Sequence, residues 1–167
     1  MNATANLSEL LRAIHRGKLT MRQRHAAVAK QVSDYAFNNT YQYVINREDV
    51  HLQWLEAVLA ESGTTADRVD EPMLSAAVRG KGREYLSLVA EDARAAEAFV
   101  AAWRPRLPEI ASARHRSLIQ VILGETLEQK RFFEQIGADN HDLLGRRSNG
   151  PDSDGTGNGV LAVRWVE

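Results

Sequence analysis

Tyr41, Val44, Glu48, His51, Leu55 and Val58 follow one another at steps of 3, 4, 3, 4 and 3. That spacing draws one face of a long helix packed lengthwise against other helices. A strand needs strict alternation, and almost no such signal occurs before residue 159. The face predicts a helix ending near Glu61, where Ser62-Gly63 supplies a stop. Two ionisable residues, Glu48 and His51, interrupt the face three positions apart, so their side chains leave the helix on the same side.

The rest of the chain reads as helices of similar length. The first runs from about Leu7 to Val32 on Leu7, Leu10, Leu11, Ile14, Met21, Val28 and Val32. Gly17 and Thr20 are candidate breaks in it, with Thr20 as an N-cap for a restart, and Ser33-Asp34 with Asn38-Asn39 is a candidate turn. Residues 63–82 are polar, hold Pro72, Gly80 and Gly82, and read as a crossing connection with at most a short helix from Met73 to Val78. A third helix from about Arg83 to Trp103 is ended by Pro105 and Pro108, and a fourth from about Glu109 to Ile136 is stopped by Gly137. Two antiparallel pairs joined by one long connection predict an all-α, antiparallel, ferritin-like four-helix bundle over residues 1–144. Residues 145–159, rich in Gly, Ser, Asn and Asp, read as a flexible linker, and residues 160–167 as a short apolar tail.

Composition removes several function classes. The 167 residues contain no cysteine, which excludes disulfides, thiolate metal sites and cysteine nucleophiles. A net charge of -1 gives no reason to expect nucleic acid or an anionic membrane as partner. No segment approaches the run of about 18 apolar residues that a membrane span needs. The N-terminus lacks the basic-then-apolar layout of a signal peptide, so the expected location is the cytoplasm.

The other helices repeat the interrupted face. Leu118, Val121, Glu125, Glu128 and Phe132 form a stripe on the fourth helix, broken by Glu125 and Glu128. On the third, the stripe Tyr85, Val89, Asp92, Ala96, Phe99, Trp103 turns Asp92 inward; the stripe Leu88, Glu91, Ala95, Ala98, Ala102 turns Glu91 inward instead. Glu91 is preferred for its reach, with Asp92 beside it. On the first helix, His25 shares a face with Met21, Val28 and Val32. Inward carboxylates on different helices repel one another unless a cation lies between them, and carboxylate with imidazole suits iron or manganese.

These residues carry a resemblance. Glu48-Asp49-Val50-His51-Leu52-Gln53-Trp54-Leu55 resembles the second-helix Glu-x-x-His motif of the ferritin-like superfamily, rubrerythrin especially, and residues 125–133 resemble its fourth-helix motif. The resemblance spans about residues 7–140. It implies a di-metal site, iron or possibly manganese, in which Glu48, His51 and Glu125 match by position and Glu91 or Asp92 supplies the third-helix carboxylate. Glu128 stands where that family has His, and the first-helix Glu has no counterpart, with His25 its nearest substitute. The activity implied is iron oxidation or oxygen and peroxide handling, of the ferroxidase or peroxidase kind.

Blander readings stand beside each of these. The bundle can be a degenerate one, its seam carboxylates satisfied by Arg, Lys or His25, acting as a non-catalytic binding or scaffold module. His25 can be a core histidine. His15, His115 and His141 read as surface groups, and Arg22-Gln23-Arg24 and Arg114-His115-Arg116 as solvated faces. Tyr35, Phe37, Tyr41 and Tyr43 read as packing residues, with Tyr41 near enough to a site to be a redox neighbour. Expected partners are a second copy of the chain, as a dimer, and a protein that receives the tail. In layout the tail is similar to the targeting peptides of ferritin-like proteins loaded into encapsulin shells.

Overall fold

The computed structural model describes residues 3–68, 83–141 and 143–144. They form helices α1 (Ala3–Ala29), α2 (Tyr35–Glu61), α3 (Tyr85–Trp103) and α4 (Ala113–Gly137), with a 3-10 segment at Arg104–Glu109 and no strand among the described residues. The chain is an all-α antiparallel bundle. The expected short helix at 73–78, the linker and the tail lie outside the described residues.

Local chemistry explains each boundary. Asp34 is the N-cap of α2, its carboxylate accepting from the Phe37 amide at 3.0 Å. Asn38 lies inside α2 rather than in the turn, and its side chain donates to the Ala29 carbonyl at 2.8 Å, capping the end of α1. At the end of α2, Gly63 takes φ +69, which lets the amides of Gly63 and Thr64 return to Ala60 and Leu59. Pro105 and Pro108 do end α3, but the chain winds on as the 3-10 segment, and α4 starts only at Ala113 behind the Ser112 N-cap. The stop after α4 is not Gly137, which remains helical. Asp139 takes the left-handed position (φ 64), and the Asn140 amide returns to the Gln135 carbonyl.

α1 has no break. Thr20 sits mid-helix, its hydroxyl donating to the Arg16 carbonyl, and Gly17 is kept small for another reason. A Cβ built there would stand 2.8 Å from Cε2 of Phe99, so the missing side chain is what seats that ring against α1.

α1 packs closely on α2, and α3 on α4, while α1 meets α3 and α2 meets α4 more loosely. Lys18 with Glu48, Arg24 with Asp92, and Arg47 with Glu125 cross between neighbouring antiparallel helices. Glu61, the last residue of α2, pairs with Arg114 at the start of α4. Arg83, just before α3, pairs with Asp139 beyond the end of α4. The α2–α3 connection therefore begins at one end of the bundle and finishes at the other, a span of about 40 Å for a helix of this length. Asp67 marks its start, paired with Arg12 and Arg16 of α1.

The core has two apolar halves. One gathers Leu11, Ile14, Leu55, Leu59, Phe99, Ile119 and Ile122; the other gathers Val28, Phe37, Tyr41, Val44, Leu88, Val89, Phe133 and Ile136. All four helices contribute buried polar residues, and of the candidate site residues His25, Glu48, His51 and Asp92 are among them, while Glu91, Glu125 and Glu128 are not.

Candidate functional site: a polar layer at mid-bundle

Six positions of α1 step by 3 and 4 along its buried face, Leu11, Ile14, Lys18, Met21, His25 and Val28, and Val32 just past its end continues the spacing. Lys18 is therefore carried into the core by the same periodicity as its apolar neighbours, and its side chain is fully buried. Its ammonium donates to Glu48 Oε1 at 2.6 Å and to the Thr126 hydroxyl at 3.0 Å. The Thr126 hydroxyl in turn donates a hydrogen bond to the Ile122 carbonyl at 2.7 Å. The short Lys18–Glu48 contact is of the charge-assisted kind. Burial pulls the Lys18 ammonium below its ordinary range and pushes the Glu48 carboxyl above its own. Each charge is held in place by the other.

Glu48 and His51 both face inward and are fully buried, as the α2 stripe predicts. His51 Nε2 lies 2.7 Å from Glu125 Oε2; an ionised carboxylate only accepts, so the ring is the Nε2–H tautomer. Burial first, then the charge of Lys18, depresses the His51 pKa to about 4, against a smaller upward pull from Glu125. Burial alone would raise Glu125. Hydrogen bonds from Arg47 (Nε to Oε2, 3.0 Å) and His51 outweigh it and hold the carboxyl below its ordinary value.

A second buried acid sits toward the other half of the core. Asp92 accepts from Tyr41 Oη at 2.6 Å and from Arg24 Nε at 2.5 Å, while Arg24 also reaches Glu91 at 2.8 Å. Burial, reinforced by the Asp92 charge, pushes the Tyr41 phenol well above its usual range, so Tyr41 remains a proton donor. His25 packs between Tyr41 and Phe133, with ring centroids at 6.2 and 5.1 Å. Burial, with the nearby charges of Lys18 and Arg24, drops its pKa to about 3, so it is a neutral core histidine.

Several expectations are corrected. On α3 the inward residue is Asp92, with no exposure, while Glu91 sits at the edge. On α4 the buried face is Ile119, Ile122, Thr126, Gln129, Phe133 and Ile136, one residue round from the expected stripe. Thr126 and Gln129 thus occupy the core positions assigned to Glu125 and Glu128. Glu125 lies at the α2/α4 boundary, Glu128 is half-buried beside Tyr43, and Val121 is exposed. A neutral hydroxyl and amide are cheaper to bury than two carboxylates. His15 is not a surface group: it is buried, with Nε2 3.2 Å from Glu56. Arg24 is not on a solvated face but turns into the core. Lys18, Arg24 and Arg47 are the residues that sequence reasoning missed.

Would these side chains hold the metal that the resemblance implies? Among the described residues no three histidine, aspartate or glutamate side chains come together as a metal site requires. The donors are also committed: Glu48 to an ammonium, Glu125 to a guanidinium, and His51 Nε2 to a proton shared with Glu125. The donor set does not fit a di-metal centre. Glu48 Oε2 and the Gln129 amide are buried neighbours without well-formed hydrogen bonds, so the layer has polar capacity to spare. No helix among the described residues is long and apolar enough to cross a membrane. Comparison with protein families, with curated proteins and with solved structures returned no match.

Proposed function

We propose that this chain is a ferritin-like bundle that has exchanged metal chemistry for an internal ion-pair layer and works as a non-catalytic binding or scaffold module. The observation that carries this reading is the Lys18 ammonium, 2.6 Å from Glu48 and fully buried at the middle of the core. That α2 ends and α3 begins at opposite ends of the bundle supports the ferritin-like part. The rival reading, an iron or manganese oxidoreductase, keeps one observation in its favour: Glu48 and His51 are both turned inward. The two readings part on metal addition. A ligand that binds only the folded state raises its melting temperature. On our reading, anaerobic iron(II) or manganese(II) leaves the melting temperature of the wild-type protein unchanged; a rise that Glu48→Ala abolishes would favour the oxidoreductase.

The surface for such a module is the α2/α4 face. The stripe Leu118, Val121, Glu125, Glu128, Phe132 has the periodicity of a packed face but lies beside the core rather than in it. Next to it, α2 presents Tyr43 edge-on to Phe132, and Arg47 over the Trp54 ring. Val121, 47% exposed, is one of two large apolar side chains left open among the described residues. Leu118 and Phe132 of this stripe already pack against the core, so Val121 is the apolar position it leaves for a further helix. A second copy of this chain, docking α2/α4 on α2/α4, meets the pattern with a two-fold interface. Sedimentation velocity should show a dimer that Val121→Glu converts to a monomer of unchanged helix content; a wild-type monomer at high concentration would remove this surface from the account.

A further inference from the structure

We infer that His141 is a pH-sensitive clasp on one end of the bundle: as an imidazolium it ties the end of α4 to the first turn of α2, and on losing its proton it lets that end open. The clasp is separate from the polar layer and from the proposed function.

The geometry of the ring carries this. Nε2 of His141 lies 3.1 Å from Asp34 Oδ2, and Nδ1 lies 3.0 Å from the Asp139 carbonyl oxygen. A carbonyl and an ionised carboxylate only accept hydrogen bonds. Burial works to raise the Asp34 carboxyl, but the Phe37 amide and His141 hold it below its ordinary value. A neutral imidazole has one N–H and satisfies one of the two oxygens; its remaining lone pair then points at the other. Only the imidazolium donates from both nitrogens. The ring is also stacked on Phe37, with centroids 4.5 Å apart and planes 27° apart, so it cannot turn away from the mismatch without giving up that contact. The neighbouring charges agree. The Asp139 carboxylate lies 3.8 Å from Nε2. Arg83, before α3, opposes the imidazolium but is itself paired with Asp139. Tyr85 in α3 adds no charge, since burial first and Asp34 next raise its phenol above the ordinary range.

The clasp closes a junction of three elements. Asp34 is the N-cap of α2, Asp139 takes the left-handed turn that ends α4, and Leu143 beyond the ring packs on the Phe37 half of the core. Beside the ring is a cleft of about 360 Å³ that Phe37, Tyr85 and Arg83 help to line. Loosening the ring uncovers Phe37 and widens that cleft. His25 and His51 weaken the whole fold in acid, whereas this clasp tightens in acid, so it has to be read locally.

The Asn140 amide, bonded to the Gln135 carbonyl at 3.0 Å, reports closure. Its hydrogen-exchange protection, corrected for the intrinsic rate, is measured by NMR on the full chain at about pH 5.5 and about pH 8, on either side of an ordinary histidine's titration. Wild-type protection should fall about tenfold between the two, the worth of one hydrogen bond to a charged group. His141→Phe keeps a ring on Phe37 but donates nothing, so its protection should be low and equal at both. Asp34→Asn makes the sharper control. Asparagine still caps α2 with Oδ1, which accepts from the Phe37 amide, but it puts an amide N–H where Oδ2 stood. Nε2 must then accept, the neutral Nδ1–H ring becomes the fully bonded form, and protection should rise with pH instead of falling. Wild-type protection that is equal at the two pH values overturns the inference. So does an Asp34→Asn chain whose protection falls with pH as the wild type's does. If His141→Phe fails to fold, wild type and Asp34→Asn decide by themselves.

Discussion

Lys18→Met should cost the protein about 3–5 kcal/mol of stability, measured by urea unfolding at neutral pH, because it leaves the Glu48 carboxylate buried without its counter-charge. Methionine has nearly the volume of lysine and suits the apolar residues on either side, so packing contributes little to the loss. Glu48 is fully buried, and the neighbour of its second oxygen is the neutral Gln129 amide, a weaker partner for a carboxylate than the Lys18 ammonium. The deficit should shrink on acidification. Without the ammonium the folded-state pKa of Glu48 rises further above its unfolded value, so the variant gains relative stability as pH falls and Glu48 takes a proton. An ordinary surface lysine would show neither the loss nor its pH dependence.

The second large effect is a loss of stability on mild acidification of the wild type. His25 and His51 are buried neutral, with pKa values held at about 3 and about 4 by burial first and by the Lys18 charge second. In the unfolded chain each takes a proton below about pH 6.5. The unfolded state therefore binds more protons, and stability is full above that pH and declines as pH falls, until the folded rings themselves titrate. At about pH 5 each ring accounts for about 2 kcal/mol of loss. Glu48 and Asp92, pushed upward by burial, act in the opposite sense and offset part of it. His25→Leu isolates one contribution, since the His25 Nδ1 has no partner to lose. Between about pH 7.5 and about pH 5, His25→Leu should lose about 2 kcal/mol less than the wild type. Parallel curves for the two proteins would show that His25 does not titrate as a buried neutral group.

How much of this was legible in the sequence varied from helix to helix. α2 was read in register because it carries one dominant stripe, and Tyr41, Val44, Glu48, His51, Leu55 and Val58 are all buried. α4 carries two stripes one residue apart, about 100° of helix rotation. The sequence reading took the one with the carboxylates, whereas the core took the one in which Ile119, Ile122, Phe133 and Ile136 surround neutral polar residues. The signal for Lys18 was present, as an interior position of an unbroken 3-4 stripe along α1. It was passed over because lysine is seldom fully buried. That prior is overturned only by a partner, Glu48, that stands 30 positions away in the chain. Arg24 and Arg47 were hidden in the same way: a guanidinium written on an outer face can swing inward when a carboxylate on another helix meets it.

The most direct test of the account is a double-mutant cycle on the central pair, comparing wild type, Lys18→Met, Glu48→Gln and Lys18→Met/Glu48→Gln by urea unfolding at neutral pH. If Lys18 is the internal counter-cation of Glu48, each single variant leaves one charge stranded in the core. The double variant leaves none. The account predicts that the double variant is more stable than either single one, with a coupling energy of about 3 kcal/mol. Losses that simply add, with the double variant the least stable of the four, would contradict it.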